Sequence, residues 1–222
     1  MNEDGTKSTD DVAGMATTPP DELDDTAEND AVVVDPDAAA DPPLEVAELA
    51  AACVRFVATR YGIHLDFMPE TLSMVDQWVR DAREELKDRP ELVDLVQTSA
   101  GAYLGEVIRR AFGAQWIVDS EYAAWRLCMS TVYCAFNPVG MVREALMLGE
   151  AEAWHAHFEL DPGEKEAIEA RLAALPEVGE DEYYAPSTRF DVVNIVVDAL
   201  RENMRHAGLG DVRFSAGDYA GV

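Results

Sequence analysis

The segment Gly101-Ala-Tyr-Leu-Gly-Glu-Val-Ile-Arg-Arg110 lies in the middle of a helical pattern that runs from about Pro90 to Phe112. On a wheel of 100° per residue, its apolar side chains form two adjacent strips and leave only a narrow polar arc. A surface helix normally carries one apolar stripe, so this helix is predicted to be covered on more than one side. The strips consist of Val96, Ala100, Tyr103, Val107 and Ala111, and of Gly101, Gly105, Ile108 and Phe112.

The two glycines of this helix, Gly101 and Gly105, each cost about 1 kcal/mol relative to alanine. Close approach of another backbone segment along the groove that they leave would offset this cost. A cofactor phosphate could also use bare backbone, but phosphate sites lie at helix N-termini and not in mid-helix. We therefore predict that this helix is the packed centre of the domain.

Length and charge divide the chain into three parts. Its 222 residues, 48% of them hydrophobic, suffice for one domain. Residues 1–43 contain thirteen acidic residues, one lysine and no aromatic residue, which predicts a disordered acidic tail. The domain is expected at residues 44–210, followed by a C-terminal tail at residues 211–222.

The net charge of −27 restricts the classes of partner. Nucleic acids and anionic membrane surfaces are disfavoured, because both are bound through Lys and Arg. A protein with a basic surface is a compatible partner, through steered association. No secretory signal and no apolar run of about 20 residues is seen, so we expect a cytoplasmic protein. Cys53, Cys128 and Cys134 are predicted to be reduced, buried thiols.

Periodicity predicts the remaining elements and an α+β fold. The expected architecture is a single domain whose helices pack on one face of a small three-stranded antiparallel sheet, covered by the central helix. The segment 150–160 is expected to be weakly helical, and Ser187 is expected to cap the last helix. Helices are predicted at about 44–61, 69–86, 139–148, 161–175 and 187–207, and strands at 115–118, 124–129 and 132–136.

The nearest approach to a metal motif is His155-Ala-His157-Phe-Glu159. On a strand, His155, His157 and Glu159 would share one face and could converge on Zn²⁺ or Fe²⁺. On a helix the two histidines point about 200° apart. The surrounding residues favour a helix, so we interpret the histidines as structural or solvated and predict no metal.

No catalytic or cofactor-binding residue is assigned, and no cofactor is expected. The chain has no Gly-x-Ser-x-Gly elbow and no Gly-rich phosphate loop. Tyr103 and Glu106 on the central helix are candidates for a pocket, in which Glu106 could act as a general base. The alternative is an ion pair between Glu106 and Arg109 or Arg110 at the rim of the core. Tyr183 and Tyr184, in an acidic loop, are candidates for a protein contact.

The motifs resemble a pattern found in uncharacterised bacterial domain families. They are Leu65-Asp-Phe-Met-Pro-Glu-Thr-Leu72, Gly101-Ala-Tyr-Leu-Gly-Glu-Val-Ile-Arg109, Trp116 and Phe136-Asn-Pro-Val-Gly-Met-Val142. The similarity spans about residues 44–149 and implies a compact α+β domain, with helices first and a small sheet after. It brings no activity and no catalytic residue.

Two hypotheses for the function follow. The first is a non-catalytic protein-binding domain, of the adaptor or immunity type, that uses an acidic surface. The second is a small enzyme or ligand-binding protein with a site between the central helix and the sheet. A deep pocket with converging polar groups would favour the second.

Overall fold

The computed structural model describes residues 41–220, which all lie in one compact unit. The predicted acidic tail therefore falls outside the described residues, apart from its last three positions. None of the helices in the described part is both long and apolar enough to cross a membrane. The seven helices and four strands of this part are α1 Leu44–Tyr61, α2 Leu72–Glu85, α3 Val93–Phe112, β1 Ala114–Ile117, β2 Arg126–Met129, β3 Cys134–Phe136, α4 Pro138–Met147, β4 Glu159–Leu160, α5 Pro162–Ala173, α6 Glu180–Tyr183 and α7 Pro186–His206.

The central position of α3 is confirmed. The helix packs between α1 and α4 and also contacts the sheet, and every residue from Val96 to Arg109 is buried. A Cβ atom at Gly101 would lie 2.5 Å from the Cα atom of Val139, so the backbone of α4 does approach the glycine groove. A Cβ atom at Gly105 would lie 2.2 Å from the ring of Trp116. Both glycines make room for close packing.

The sheet has four antiparallel strands in the order β1-β2-β3-β4, and the prediction of three strands is wrong. The fourth strand comes from the segment that was expected to be weakly helical. Glu159 pairs with Ala135, and the amide of Asn137 donates a hydrogen bond to the carbonyl of His155 at 2.8 Å. Backbone pairing with β3 therefore overrides the weak helical preference of residues 150–160, where only a 3₁₀ turn at Glu152–Trp154 forms.

The two faces of the sheet have different covers. Leu127 and Met129 point into the main core with α3, as the alternating pattern predicted, and Phe136 on β3 does so as well. The opposite face holds a small cluster of Cys128, Ala135 and Tyr219. The C-terminal segment thus covers the outer face of the sheet.

Tyr219 fixes this segment in place. Its hydroxyl accepts a hydrogen bond from the amide of Cys134 at 3.2 Å and lies 2.8 Å from the carbonyl of Met129. Its ring stacks on Tyr133 with 4.8 Å between centroids. A 3₁₀ turn at Ala216–Tyr219, opened by a capping box of Ser215 and Asp218, presents the ring to the sheet.

The start of α7 differs from the prediction. The helix begins at Pro186, and Ser187 is not its cap but lies inside the first turn. The amide and hydroxyl of Ser187 donate to the two carboxylate oxygens of Asp76 on α2, at 2.9 and 2.5 Å. A buried carboxylate on a neighbouring helix thus satisfies the amide of Ser187, and no cap from within the chain segment is needed.

All three cysteines are free and buried, as predicted. Burial raises the pKa of the Cys53 and Cys134 thiols far above the ordinary range, and raises that of Cys128 to about 12. Each thiol therefore stays protonated at neutral pH, which disfavours a nucleophilic role.

Candidate functional site

A groove of about 630 Å³ opens between α7, the C-terminal half of α5 and the loop that precedes β4. Its lining is mainly apolar, and polar side chains are spaced along it. The apolar side chains of the lining include Met141, Phe158, Leu172, Leu175, Val178, Val192 and Ile195.

Helix α5 contacts the C-terminal part of α7, where Arg171 lies 3.9 Å from Glu202. Ile168 is the one buried residue of α5, and Asn203 donates a hydrogen bond to Glu164 at 2.6 Å near the start of the helix. The helix ends at Ala173, and Leu175 and Val178 in the connection after it are 37% and 43% exposed. These two apolar side chains are only partly covered by other described residues.

A buried ion pair lies at the inner side of the groove. Arg189 on α7 donates to a carboxylate oxygen of Glu144 on α4 at 2.8 Å, and the two residues are 8% and 1% exposed. The other oxygen of Glu144 accepts from the amide of Ala151 at 3.2 Å. The Nε atom of Arg189 is buried and has no hydrogen-bond partner among the described residues. The pair neutralises the charge of Arg189 within the protein.

The predicted contact residues Tyr183 and Tyr184 lie beside this pair. Tyr183 lines the groove and is 48% exposed, whereas Tyr184 is buried beneath it. The guanidinium of Arg189 lies over both rings, 4.7 Å from the centroid of Tyr183 and 5.1 Å from that of Tyr184. Asp181 holds α6 to α2 through ion pairs with Arg80 and Arg83. The structure thus places one tyrosine at an open surface and uses the other for packing.

The rim of the groove carries two exposed carboxylates. Glu177 lies on the connection after α5 and Asp191 lies on α7, on the opposite wall. Within residues 41–220, neither forms an ion pair or a side-chain hydrogen bond. His157 also lines the groove, with its Nε2 atom 3.9 Å from Glu144 and its side chain 64% exposed.

The candidate metal ligands face different partners. Nδ1 of His155 lies 3.3 Å from Glu159, which also accepts a hydrogen bond from Arg126 at 2.9 Å, whereas His157 faces Glu144. His155 has a left-handed backbone with φ of 48°, which separates the two histidines. The described residues contain no group of three or more His, Cys, Asp or Glu side chains arranged to hold a metal ion.

Glu106 is buried inside the protein and not at the rim of the core. Its carboxylate accepts two hydrogen bonds from Arg109, at 2.8 and 3.0 Å, and a third from the indole of Trp116 at 2.9 Å. Arg110 lies farther away, at 3.8 Å. The carboxylate is thus held by an ion pair and by β1.

Tyr103 is also buried, and its hydroxyl is engaged by the segment before α2. It accepts a hydrogen bond from the amide of Phe67 at 2.9 Å and lies 2.8 Å from the hydroxyl of Thr71. Phe67 itself has a positive φ of 65° and stacks on the Tyr103 ring. Neither Tyr103 nor Glu106 lines the groove.

Sequence reasoning did not find the groove or its buried ion pair. Glu144, His157 and Arg189 come from three separate segments, and no local motif links them. A signal did exist on α7, where Val192 and Ile195 lie outside the main apolar stripe and form a second one. A second apolar stripe on a helix that already has a buried face indicates another contact.

One comparison with known proteins finds a match, and it covers the N-terminal part of the domain. Residues 21–129 match the model of a family of unknown function (DUF6278). This match ends at Met129, the last residue of β2, so it includes α3 and excludes the groove. Comparison with curated proteins and with solved structures finds no match. The match agrees with the resemblance to an uncharacterised domain family and carries no activity.

Proposed function

We propose that this chain is a non-catalytic protein-binding domain of the adaptor or immunity type, and that it binds its partner through the groove between α5 and α7. The observation that carries the proposal is an open apolar groove with Tyr183 at its edge and unpaired carboxylates on its rim. Exposed apolar surface rimmed by polar residues is typical of protein interaction sites.

The residue types of the groove support a protein ligand. Aromatic residues are enriched at protein interfaces, and Tyr183 lines the groove with 48% of its surface exposed. Tyr183 combines a large apolar ring with a hydroxyl that stays in water. The guanidinium of Arg189 packs against this ring, so the contact surface is ordered before a partner arrives.

The charge of the chain supports a basic partner. A net charge of −27 attracts a positively charged protein over several ångströms and accelerates the encounter. We place this encounter in the cytoplasm, the compartment expected from the sequence.

The alternative is a small enzyme or ligand-binding protein with a site between α3 and the sheet. It has less support from the structure, because the polar atoms of Glu106 and Tyr103 are engaged within the protein. The volume of the groove does fall within the range of small-molecule sites, about 300–1,000 Å³. A small ligand would therefore bind in the groove and not beside α3.

Affinity purification tests the proposal. Three baits are compared: the full chain, the chain without residues 1–43, and the full chain with Ile195→Arg, which places a charge in the groove. Leu44→Arg, at a residue that is 75% exposed at the start of α1, is the matched control. We expect one stoichiometric partner with the full chain and with the control, and its loss with Ile195→Arg. Recovery of no partner from the full chain and from the shortened chain contradicts the proposal.

A further inference from the structure

We infer that the groove binds an amphipathic helix of the partner, with one apolar stripe that is flanked on both sides by Lys and Arg. This inference rests on the proposed protein-binding function and specifies the segment that is bound. It follows from the walls of the groove, from its length and from the charges on its rim.

The walls of the groove favour a helix over an extended segment. The lining residues come from helices and from the connections before β4 and after α5, and none of them belongs to a strand, so the lining offers no strand edge with which an extended peptide could pair. The backbone groups of an extended peptide would lose water without gaining partners, and buried unpaired backbone groups are costly. A helix satisfies its own backbone and presents only side chains.

The length of the wall formed by α7 matches two turns of a helix. Thr188, Val192 and Ile195 on α7 repeat at intervals of four and three residues and span about 10 Å. A partner helix with apolar residues at i, i+4 and i+7 presents the same spacing to this wall. The opposite wall, which includes Leu172, then contacts the other side of the bound stripe.

The charges at the rim of the groove favour basic residues on both sides of the apolar stripe of the bound helix. Glu177 and Asp191 lie on opposite walls and are unpaired within residues 41–220, whereas the charge of Arg189 is neutralised by Glu144. A helix bound between the walls would bring its flanking positions to these carboxylates. Lys or Arg there gains an ion pair on each side, and Asp or Glu meets a like charge.

Synthetic peptides of 18 residues test the inference directly. One peptide has a leucine stripe with lysine flanks, the second has the same stripe with glutamate flanks, and the third is a scramble of the first. Binding to the full chain is measured by fluorescence anisotropy at 0.15 M salt. We expect the lysine-flanked helix to bind at least tenfold more tightly than either of the others.

Charge-reversal variants assign the effect to the rim. Glu177→Lys/Asp191→Lys should weaken binding of the lysine-flanked peptide at least tenfold and strengthen binding of the glutamate-flanked one. Glu70→Lys/Asp88→Lys changes the net charge equally at exposed residues near the two ends of α2 and should change binding less than threefold. Far-UV circular dichroism checks that all variants remain folded.

The outcomes separate this inference from the proposed function. Equal binding of the basic helix and its scramble, or equal effects of the two double variants, overturns the basic-helix inference. If the three peptides fail to bind while a partner is still captured in a manner sensitive to Ile195→Arg, the inference fails and the proposed function stands. If the basic helix binds and Ile195→Arg does not weaken it, the helix binds outside the groove and the inference fails. The proposed function fails as well only if capture of the partner also survives Ile195→Arg.

Discussion

The indole of Trp116 donates a hydrogen bond to the buried carboxylate of Glu106 at 2.9 Å and thereby joins the first strand to the central helix. The same carboxylate is paired with Arg109, which is also largely buried. Removal of Glu106 would take away the carboxylate that pairs with Arg109 and that accepts the hydrogen bond of the indole N–H. These two residues therefore couple the helical and sheet layers of the domain.

Replacement of Glu106 should destabilise the protein strongly. We expect Glu106→Leu to lower the free energy of unfolding by about 3–5 kcal/mol, because it removes one member of a buried pair. Trp116→Phe should cost about 1–3 kcal/mol, since it removes one hydrogen bond to a charged group. Urea denaturation followed by circular dichroism measures both. Glu84→Ala, in the exposed pair with Lys87, serves as the control and should cost less than about 1 kcal/mol.

Alanine at either glycine of α3 should destabilise the fold. Helix propensity alone would favour Gly101→Ala and Gly105→Ala by about 1 kcal/mol each. The new Cβ atoms would lie 2.5 Å from Val139 and 2.2 Å from Trp116. These clashes outweigh the gain in helix propensity, so each substitution should lower the free energy of unfolding. The control is Gly149→Ala, where no atom lies within 4 Å of the new Cβ. A thermal unfolding midpoint that rises for Gly101→Ala would contradict the close packing of α4.

Loss of Tyr219 should expose one thiol. In Tyr219→Ala we expect Cys128 to react with a thiol reagent at neutral pH, because the variant removes its cover and the pKa of the thiol falls from about 12 towards its ordinary value. Cys53, in the main core, should stay protected. Mass spectrometry of labelled peptides identifies the modified residue. Tyr183→Ala is the comparison and should leave all three thiols protected; labelling of Cys53 in Tyr219→Ala would indicate global unfolding.

Two aspartates should affect stability in opposite directions as the pH changes. Burial raises the pKa of Asp76 above 3.8, and the hydrogen bond from Arg83 lowers the pKa of Asp181 below 3.8. The stabilisation that Asp76 adds to the free energy of unfolding is therefore fully present below about pH 3.8. It is lost as the pH rises through the raised pKa that Asp76 has in the folded protein. The stabilisation that Asp181 adds is present above pH 3.8 and is lost as the pH falls through the lowered pKa that Asp181 has in the folded protein.

Urea denaturation of Asp76→Asn and Asp181→Asn at pH 7, 5 and 3 checks these signs. From pH 7 to pH 3, the unfolding free energy of the wild type minus that of Asp76→Asn should rise. The corresponding difference for Asp181→Asn should fall. Parallel changes in the two differences would show that the environments of the two carboxylates have been assigned incorrectly.

The sequence predicts those elements whose pattern is local. The centre of the fold follows from the two apolar strips of α3, and its glycines indicate close packing. The strand at Glu159 has only two residues and owes its existence to pairing with Ala135, which no local pattern shows. The groove depends on how α5 and the connection after it are placed beside α7, and on contacts of Arg189 with two distant segments. Such features arise from tertiary geometry, so helical and strand periodicity does not reveal them.

Helix α7 reaches from the groove to the far side of the domain. Arg189 lies in its first turn, whereas Arg201, near its other end, donates to the carbonyl of Phe112 at 3.1 Å and to the hydroxyl of Thr131. Its 21 residues form a rod about 30 Å long. A ligand that tilts this helix at one end would strain the hydrogen bonds at the other. Backbone amide exchange around Phe112 and Thr131 should therefore report whether the groove is occupied.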